Sequence, residues 1–272
     1  AMEDQRYWEH NGLDPMGIVR AWISNVFSPG KGMQGASTIS QQLLKNLLLN
    51  KDLKRESFQE KVIRKMRELL LIWKLNSVLE DQIYKENPNI EKDELRKEMK
   101  DKVLELYLNY ISFWNNAYGV EAASKTYFSK SAKDLDALES SILASIPKSP
   151  TIYNPYKNRG KSMGIIVITD AQGTEIPATG QIMDQIVSKI SQSLEGIDIE
   201  KDSDFTKVLG AVTSFSLIES GTTCTVKYNV GRKDFALMRM YEDGYITQNE
   251  LKQAFIEGLT YELRKNKVEM LA

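Results

Sequence analysis

Two acids in this chain lie near amides and cations in a pattern that suits chemistry on a charged substrate. Glu3 opens the stretch EDQRYWEHNG, and Glu68 closes the stretch IRKMRE. Between them lies QGASTISQQLLKN, which is rich in hydroxyls and amides. Three cations accompany these groups, namely Lys45, Arg64 and Lys65. A carboxylate that accepts a proton and cations that neutralise an anion suit displacement of a phosphorylated leaving group from a sugar.

Helical spacing predicts which of these side chains share a face. Arg64 and Lys65 precede Glu68 by one turn, so all three can lie on one flank of a helix. Gln41 and Lys45 are likewise one turn apart. A solvated helix face explains each pair singly, because such surface ion pairs contribute little to stability. Three separate segments that offer the set together favour a functional interpretation.

The composition bounds the possible functions. The 272 residues are 27% charged and 42% hydrophobic, which is ordinary for a globular chain of one or two domains. A net charge of −1 gives no bulk attraction to nucleic acid, and none is expected as a partner. Cys224 is the only cysteine, so an internal disulfide is excluded and a thiolate metal site is unsupported.

Hydropathy gives no membrane-spanning segment. The longest apolar run, LLLIW at residues 69–73, is far shorter than the roughly 20 apolar residues that a bilayer requires. The chain opens abruptly on its first motif. We interpret that opening as a cut and expect an anchor upstream.

Residues 1 to about 158 are predicted to be mainly helical. Thr38 followed by Gln41 is a capping-box signal for the helix that starts there. The next helix is predicted over residues 58–75, with an inward stripe of Val62, Met66, Leu69, Leu70 and Trp73. Further helices are predicted over residues 92–110, 118–127 and 134–146.

The character of the sequence changes between about residues 160 and 230. The segments GIIVITD, KVLGAVTSFSLIES and TTCTVKYNV are rich in β-branched residues and predict strands, while GQIMDQIVSKISQSL predicts an amphipathic helix. This region is therefore predicted to be a small α+β insert of unknown role. Residues 232–264 are predicted to return to helix, with Thr247 as an N-cap.

Five ordered motifs resemble the successive signatures of the peptidoglycan glycosyltransferase family, the transglycosylase domain of class A penicillin-binding proteins (glycosyltransferase family 51). The resemblance covers residues 2–158 and resumes at residues 232–258. Five motifs in order are far more specific than one short pattern. In this sequence they read EDQRYWEHNG, GASTISQQLLKN, RKMRE, KDKVLELYLN and KSPTIYNP.

The resemblance assigns roles to individual positions. Glu3 falls on the catalytic glutamate and Glu68 on the second essential one. His10 is expected to fix the first loop, whereas Lys100 and Asn109 bound a fourth motif with a structural role. The positions expected to bind substrate are Asp4, Ser37, Thr38, Gln41, Gln42, Lys45, Arg64 and Lys65.

The reaction implied by the resemblance is polymerisation of lipid II into glycan strands by inverting transfer, with release of polyprenyl pyrophosphate. Glu3 is expected to take the proton of the acceptor GlcNAc 4-OH as that oxygen attacks C1 of the donor MurNAc. Lys45, Arg64, Lys65 and a divalent cation, Mg or Mn, are expected to neutralise the pyrophosphate. We expect Glu3 and Glu68 to face one cleft at roughly the 6.5–9.5 Å of inverting hydrolases, with Glu68 orienting cations.

The implied fold is mainly α and lysozyme-like, with the α+β insert. Its expected domains are residues 1–159 with 231–272 for the transglycosylase part and 160–230 for the insert. Expected partners are lipid II, the growing glycan strand, the membrane surface, and a transpeptidase domain or other wall-synthesis proteins. The expected location is the outer face of the bacterial cytoplasmic membrane.

An apolar segment around Ile18, Trp22, Ile23, Val26 and Phe27 is open to two interpretations, ordinary core or contact with lipid.

Two other functions stay open at this point. A lytic muramidase shares the fold class, but it needs only one acid and water and has no need for the cations. A non-catalytic module that binds lipid-linked precursor is disfavoured because both glutamates are present.

Two SxxK matches, SPGK at 28–31 and SIPK at 145–148, have no accompanying KTG triad and are interpreted as chance. Trp114 and Asn116 stand where the family commonly has glycine.

Overall fold

The computed structural model describes residues 2–27, 37–49, 57–177, 180–195, 197, 199, 213–216 and 223–263. The chain divides into two compact units. The first comprises residues 3–112 and 118–120, and the second comprises residues 113–117 and those from 121 onward. The fold is mainly α, as predicted, and no described helix is long and apolar enough to cross a bilayer.

The first unit is built from helices. They are α1 (Pro15–Phe27), α2 (Ile39–Leu44), a π-helical turn (Lys45–Leu49), α3 (Phe58–Glu86) and α4 (Lys92–Tyr110). Helices α2, α3 and α4 pack against one another. Their buried side chains include Ile39, Leu43, Ile72, Ile83, Val103 and Tyr107.

Helix starts follow the local signals in the sequence. Thr38 is the N-cap of α2, and the predicted capping box with Gln41 is present. Ser57 and Glu60 form the same reciprocal pair at the start of α3. Asp14 accepts a 2.9 Å hydrogen bond from the Gly17 N–H in the first turn of α1. These caps satisfy donors that a helix start leaves unpaired.

The predicted inward stripe of α3 is wrong. The helix extends to Glu86, and Val62, Met66, Leu69, Leu70 and Trp73 are between 41% and 73% exposed. The buried face instead carries Glu68, Ile72, Leu79 and Ile83. Both sets recur at helical spacing, so periodicity alone could not tell which of them faces the core.

The interpretation of the α1 segment as ordinary core is wrong where the structure describes it. Ile18 is 51% exposed and Ile23 is 45% exposed. The side chains of Trp22, Val26 and Phe27 lie outside the described part of the chain. Exposure of these large apolar groups is consistent with the alternative, contact with lipid.

The second unit combines helices with a small sheet, and its first helix begins at Val120, the last residue of the first unit. It contains α5 (Val120–Phe128), a 3₁₀ turn (Ala132–Asp134), α6 (Ala137–Ser145), α7 (Arg159–Met163), β1 (Ile165–Thr169), α8 (Gly180–Glu195), β2 (Thr213–Ser216), β3 (Thr223–Asn229), α9 (Arg232–Glu242) and α10 (Gln248–Thr260). Thr247 caps α10, as predicted. Of the predicted strand over residues 207–220, only β2 lies within the described residues, and Arg264 also lies outside them.

The sheet is antiparallel with strand order β1-β3-β2. Ile168 of β1 pairs with Val226 of β3, and both side chains are buried together with Ile186 of α8. A second cluster joins Leu194 of α8 to Phe255 of α10. The insert thus shares a core with the helices that flank it in sequence, and its predicted boundaries as a domain stay a prediction.

A tight turn at residues 113–117 contains the two positions where the family commonly has glycine. Trp114, Asn115 and Asn116 have φ values of 67°, 49° and 57°, in the left-handed region. The Phe113 N–H donates to the Ala117 carbonyl across the turn at 2.8 Å. A bulky residue there costs roughly 1–2 kcal/mol relative to its preferred conformation, while Asn is tolerated better.

Gly119, which follows the fourth motif, is expected to reject any side chain. Its φ is +82°, and an added Cβ would collide with the backbone oxygen of Asn109. Gly119→Ala should therefore lower the free energy of unfolding by about 2–4 kcal/mol, through strain and overpacking together. Gly173 has φ +81° with open space around it, so Gly173→Ala should cost only about 1 kcal/mol. Equal losses of unfolding free energy in the two variants, measured by chemical denaturation, would show that the close approach of the Asn109 oxygen to Gly119 has no effect.

Candidate active site

The loop that carries the first motif is held by α4. The Lys100 ammonium donates to the Tyr7 carbonyl at 2.6 Å, and the Tyr7 hydroxyl donates to the Lys100 carbonyl at the same distance. Arg96, one turn earlier, donates to the Glu9 carbonyl at 2.6 Å. These contacts give Lys100 the structural role that the sequence predicts for the fourth motif.

Helices α2 and α3 also fix this loop. Thr38, at the start of α2, donates to the Gly12 carbonyl at 2.6 Å, and Asn76 of α3 donates to the Asn11 carbonyl at 3.2 Å. The first motif is thus bound to helices that carry the second, third and fourth motifs. Glu3 is the first residue of this fixed loop.

Asp4 and His10 form a buried pair beside Glu3. His10 Nε2 lies 3.0 Å from both carboxylate oxygens of Asp4, and the Ile39 N–H donates to the same carboxylate at 3.1 Å. His10 Nδ1 accepts the Gly12 N–H, so the ring proton lies on Nε2 and is donated to Asp4. These are the contacts expected of a histidine that fixes the loop. Substrate binding by Asp4 stays a prediction.

The capping pair of α2 is also buried. Thr38 is 2% exposed and Gln41 is 6% exposed, and the Gln41 carbonyl oxygen of the side chain accepts the Thr38 N–H at 3.0 Å. Both side chains are engaged in starting the helix. Their predicted contact with substrate is untested, and the geometry supports a positioning role for them.

Glu68 lies beneath the two cations of the third motif. Its side chain is 0% exposed, and its two oxygens accept hydrogen bonds from Arg64 at 2.5 Å and from Lys65 at 2.6 Å. The side chain of Lys65 is 44% exposed and that of Arg64 is 18% exposed. A buried acid thus holds two partly exposed cations in place, as the helical spacing predicted.

A chain of contacts leads from these cations toward Glu3. Lys65 donates to the Ser37 hydroxyl at 3.3 Å, and Gln42 donates to the Ser37 carbonyl at 3.4 Å. The Tyr107 hydroxyl lies 3.2 Å from the Gln42 side-chain oxygen. Burial, together with the nearby charge of Glu3, raises the pKa of Tyr107 well above its usual range. The separation of Glu3 from Glu68 stays a prediction.

Tyr107 is the residue that sequence reasoning missed as part of the site. The sequence placed it only within the helix predicted over residues 92–110 and gave it no role at the site. Its side chain is buried, but its hydroxyl is directed at a predicted substrate-binding amide. The signal available in the sequence was its place in the fourth motif.

Lys45 lies where α2 changes into a π-helical turn. Its N–H donates to the carbonyls of both Gln41 and Gln42, and its side chain is half-buried. Such π-helical turns are rare and occur frequently at functional sites. The predicted contact of Lys45 with substrate phosphate stays a prediction.

Two carboxylates of the site, those of Glu68 and Asp4, already pair with protein groups. The oxygens of Glu68 are engaged by cations, and those of Asp4 by His10 and a backbone N–H. Within the described ranges, no group of three or more His, Cys, Asp or Glu side chains is arranged to hold an ion. The Mg or Mn expected from the resemblance stays a prediction, and no step of the mechanism is routed through it.

The buried ammonium of Lys100 predicts a pH dependence of stability. Burial lowers the pKa of Lys100 from 10.5 to about 8, with Asp4 raising it and Arg96 lowering it. Above pH 8 the folded chain releases this proton before the unfolded chain does, so the free energy of unfolding should rise from about pH 8 to about pH 10. In Lys100→Met this rise of the unfolding free energy with pH, measured by chemical denaturation, should be smaller.

The matched control for this pH dependence is Lys97→Met, because Lys97 is exposed on the same helix. It should leave the slope unchanged. An unchanged slope in Lys100→Met would show that burial of this ammonium has no bearing on the pH dependence. Buried tyrosines with raised pKa values, Tyr7 among them, should reverse the trend above about pH 10.

Comparison with known proteins identifies the family. The model of the Transglycosylase family matches residues 1–168, and this chain belongs to that family. The resemblance drawn from the five motifs is confirmed, and the mainly α fold is that of its lysozyme-like domain.

Curated relatives carry the names of penicillin-binding proteins. The chain is 40% identical over 156 residues to penicillin-binding protein 1A of Aquifex aeolicus (strain VF5), a match that covers 57% of this chain and 18% of that protein. It is 34% identical over 202 residues to penicillin-binding protein 1F of Bacillus subtilis (strain 168), covering 71% and 24% respectively. The chain thus spans less than a quarter of the length of these relatives.

Proposed function

We propose that this chain is a peptidoglycan glycosyltransferase that polymerises lipid II by inverting transfer and releases polyprenyl pyrophosphate. The observation that carries the proposal is the position of Lys65. Its ammonium contacts both the buried Glu68 and Ser37, and Ser37 is connected through Gln42 to Tyr107 beside Glu3. The proposed proton acceptor thus acts electrostatically on a network of contacts that reaches Lys65, all within the first unit.

The proton acceptor in this mechanism is Glu3. Its carboxylate takes the proton of the acceptor sugar's 4-OH while that oxygen forms a bond to C1 of the donor sugar. The bond from C1 to the pyrophosphate oxygen breaks, and the electron pair leaves with the pyrophosphate. One displacement of this kind inverts the configuration at C1. The leaving group is already a good one and needs no protein acid.

Cations stabilise the charge that develops on the leaving pyrophosphate. Arg64 and Lys65 both pair with the carboxylate of Glu68, and the formal charges of these three groups sum to one positive charge. Glu68 is buried beneath them and holds their donors in place, which makes it a positioning residue. Lys45 completes the proposed cationic set from the end of α2.

The lytic alternative is tested by offering two substrates to the purified chain. Labelled lipid II should be consumed with formation of polymer, whereas polymeric glycan should release no fragments. Release of fragments without consumption of lipid II would overturn the proposal in favour of a muramidase. Binding of lipid II without turnover would favour a non-catalytic module.

We also propose that the membrane surface is a partner, through the outer stripe of α3 (Val62, Ile63, Met66, Leu69, Leu70 and Trp73). All six side chains are at least 41% exposed. Exposed Arg67 and Lys74 flank them, and the only acid between residues 61 and 79 is the buried Glu68. An apolar helix face with basic flanks suits an interface with anionic lipid headgroups. We place this surface at the outer face of the cytoplasmic membrane.

Charge placed on the outer stripe should weaken binding to vesicles that contain anionic lipid. Leu70→Glu with Trp73→Glu should lower the vesicle-bound fraction by about tenfold or more, because two large apolar groups no longer enter the interface. Tyr245→Glu is the matched control, since Tyr245 is 70% exposed and Trp73 is 73% exposed. Equal binding of both variants in a vesicle sedimentation assay would exclude the stripe as the lipid contact.

Further proposed partners are those that would use the glycan product. A transpeptidase domain or other wall-synthesis proteins would use the glycan that this chain makes. The SIPK match does not supply such an activity, because Ser145 is buried and its hydroxyl donates to the Ile142 carbonyl at 2.7 Å. The SPGK match at residues 28–31 lies outside the described residues.

A further inference from the structure

The hydroxyl of Tyr107 has no role in the mechanism proposed above, although it lies within the site. The side chain is 4% exposed, and the hydroxyl is 3.2 Å from Oε1 of Gln42. The charge of Glu3 helps burial to raise the pKa of this phenol. A buried hydroxyl that contacts a predicted substrate-binding amide and feels the charge of Glu3 calls for a function beyond packing.

The contacts fix the orientation of the Gln42 amide. The Ser37 carbonyl can only accept a hydrogen bond, so the Gln42 atom that faces it, 3.4 Å away, is the amide nitrogen. The amide oxygen then faces Tyr107, which must be the donor. Because burial and Glu3 raise the pKa of Tyr107, the phenol keeps its proton for this purpose.

This orientation matters for a base that must receive a proton. An amide nitrogen carries two N–H groups, and only one of them is used by Ser37. The other can donate to a sugar oxygen. If the amide turned over, its oxygen would instead accept the hydrogen of the attacking hydroxyl and compete with Glu3 for that hydrogen.

We propose that Tyr107 is a positioning residue that locks Gln42 as a hydrogen-bond donor toward an oxygen of the bound sugar. The proposal rests on the glycosyltransferase function proposed above. It makes α4 a part of the catalytic geometry rather than only a support for the first loop. The oxygen that Gln42 contacts belongs to a sugar hydroxyl or to an N-acetyl group.

The test uses Tyr107→Phe, which keeps the ring and removes the hydroxyl. The kcat for lipid II should fall about tenfold with little change in KM, because the amide is no longer held in one orientation. Gln42→Ala should lower kcat as well, and the double variant should be no slower than Gln42→Ala alone. Strictly additive losses would show that Tyr107 does not act through Gln42 and would overturn the proposal.

Two controls separate this role from folding and from the proposed function. Tyr110→Phe, at an exposed position of the same helix, should leave kcat and Tm unchanged. The side-chain amide signals of Gln42 in an NMR spectrum should shift in Tyr107→Phe and not in Tyr110→Phe, whether or not the chain turns over lipid II. If the wild-type chain polymerises lipid II while Tyr107→Phe has unaltered kcat and amide signals, only the positioning role fails. If the wild type leaves lipid II unchanged, the proposed function fails first.

Discussion

Glu3→Gln is expected to reduce polymerisation of lipid II by about 10²–10⁴-fold. The amide keeps the shape of the side chain but cannot take the proton of the attacking hydroxyl, and general-base catalysis contributes on this scale. KM should change little, because the cations that are proposed to bind pyrophosphate are untouched. The measurement is the initial rate of polymer formation over a range of lipid II concentrations.

Glu9→Gln is the matched control for this substitution. Glu9 lies in the same loop and is exposed, its carboxylate accepts a hydrogen bond from the neighbouring Arg6, and Arg96 contacts its backbone carbonyl rather than its side chain. It should retain the wild-type rate. Full activity of Glu3→Gln, with the same Tm as the wild type, would remove Glu3 from the role of base and leave the mechanism without a proton acceptor.

Glu68→Gln is expected to lower kcat/KM by about 100-fold through loss of geometry. An amide in place of the carboxylate turns one hydrogen-bond acceptor into a donor, which then faces Arg64 or Lys65. Arg64 and Lys65 should then shift by less than their present distances to Glu68. Small displacements of groups that bind a substrate lower kcat/KM by about this factor. The free energy of unfolding should fall by about 1–3 kcal/mol, because the buried pairing is incomplete.

The role of Glu68 is separated from that of Glu3 by the pH profile. In Glu68→Gln the fall of kcat/KM on the acidic side of the pH profile (the acidic limb) should persist, because the proposed base, Glu3, is still present. Glu80→Gln, at an exposed position of the same helix, should behave as the wild type in rate and stability. Loss of the acidic limb in Glu68→Gln alone would assign the proton transfer to Glu68 and contradict the assignment to Glu3.

Local signals in the sequence predicted most of the helical framework. The capping box of Thr38 and Gln41, the helix over residues 92–110 and the cap at Thr247 depend on neighbouring residues only. The one-flank arrangement of Arg64, Lys65 and Glu68 follows from helical spacing and was predicted for the same reason.

Features that depend on tertiary packing were not accessible from the sequence. The outward direction of Leu70 and Trp73 reverses the predicted stripe, because a helix with two apolar faces does not reveal which one the core covers. The hydrogen bond of Tyr107 to Gln42 joins residues 65 positions apart on two helices. Such a contact depends on how α2 and α4 pack, and no local pattern reports it.

In the proposed mechanism one base, Glu3, and one set of cations carry a single displacement at C1. The most direct test is the configuration of the new glycosidic bond in polymer made from lipid II, read by NMR. A single displacement should give every new bond the configuration opposite to that of the sugar–pyrophosphate bond in lipid II. Retention of the original configuration would require two displacements and a covalent intermediate, and it would contradict the mechanism proposed for Glu3.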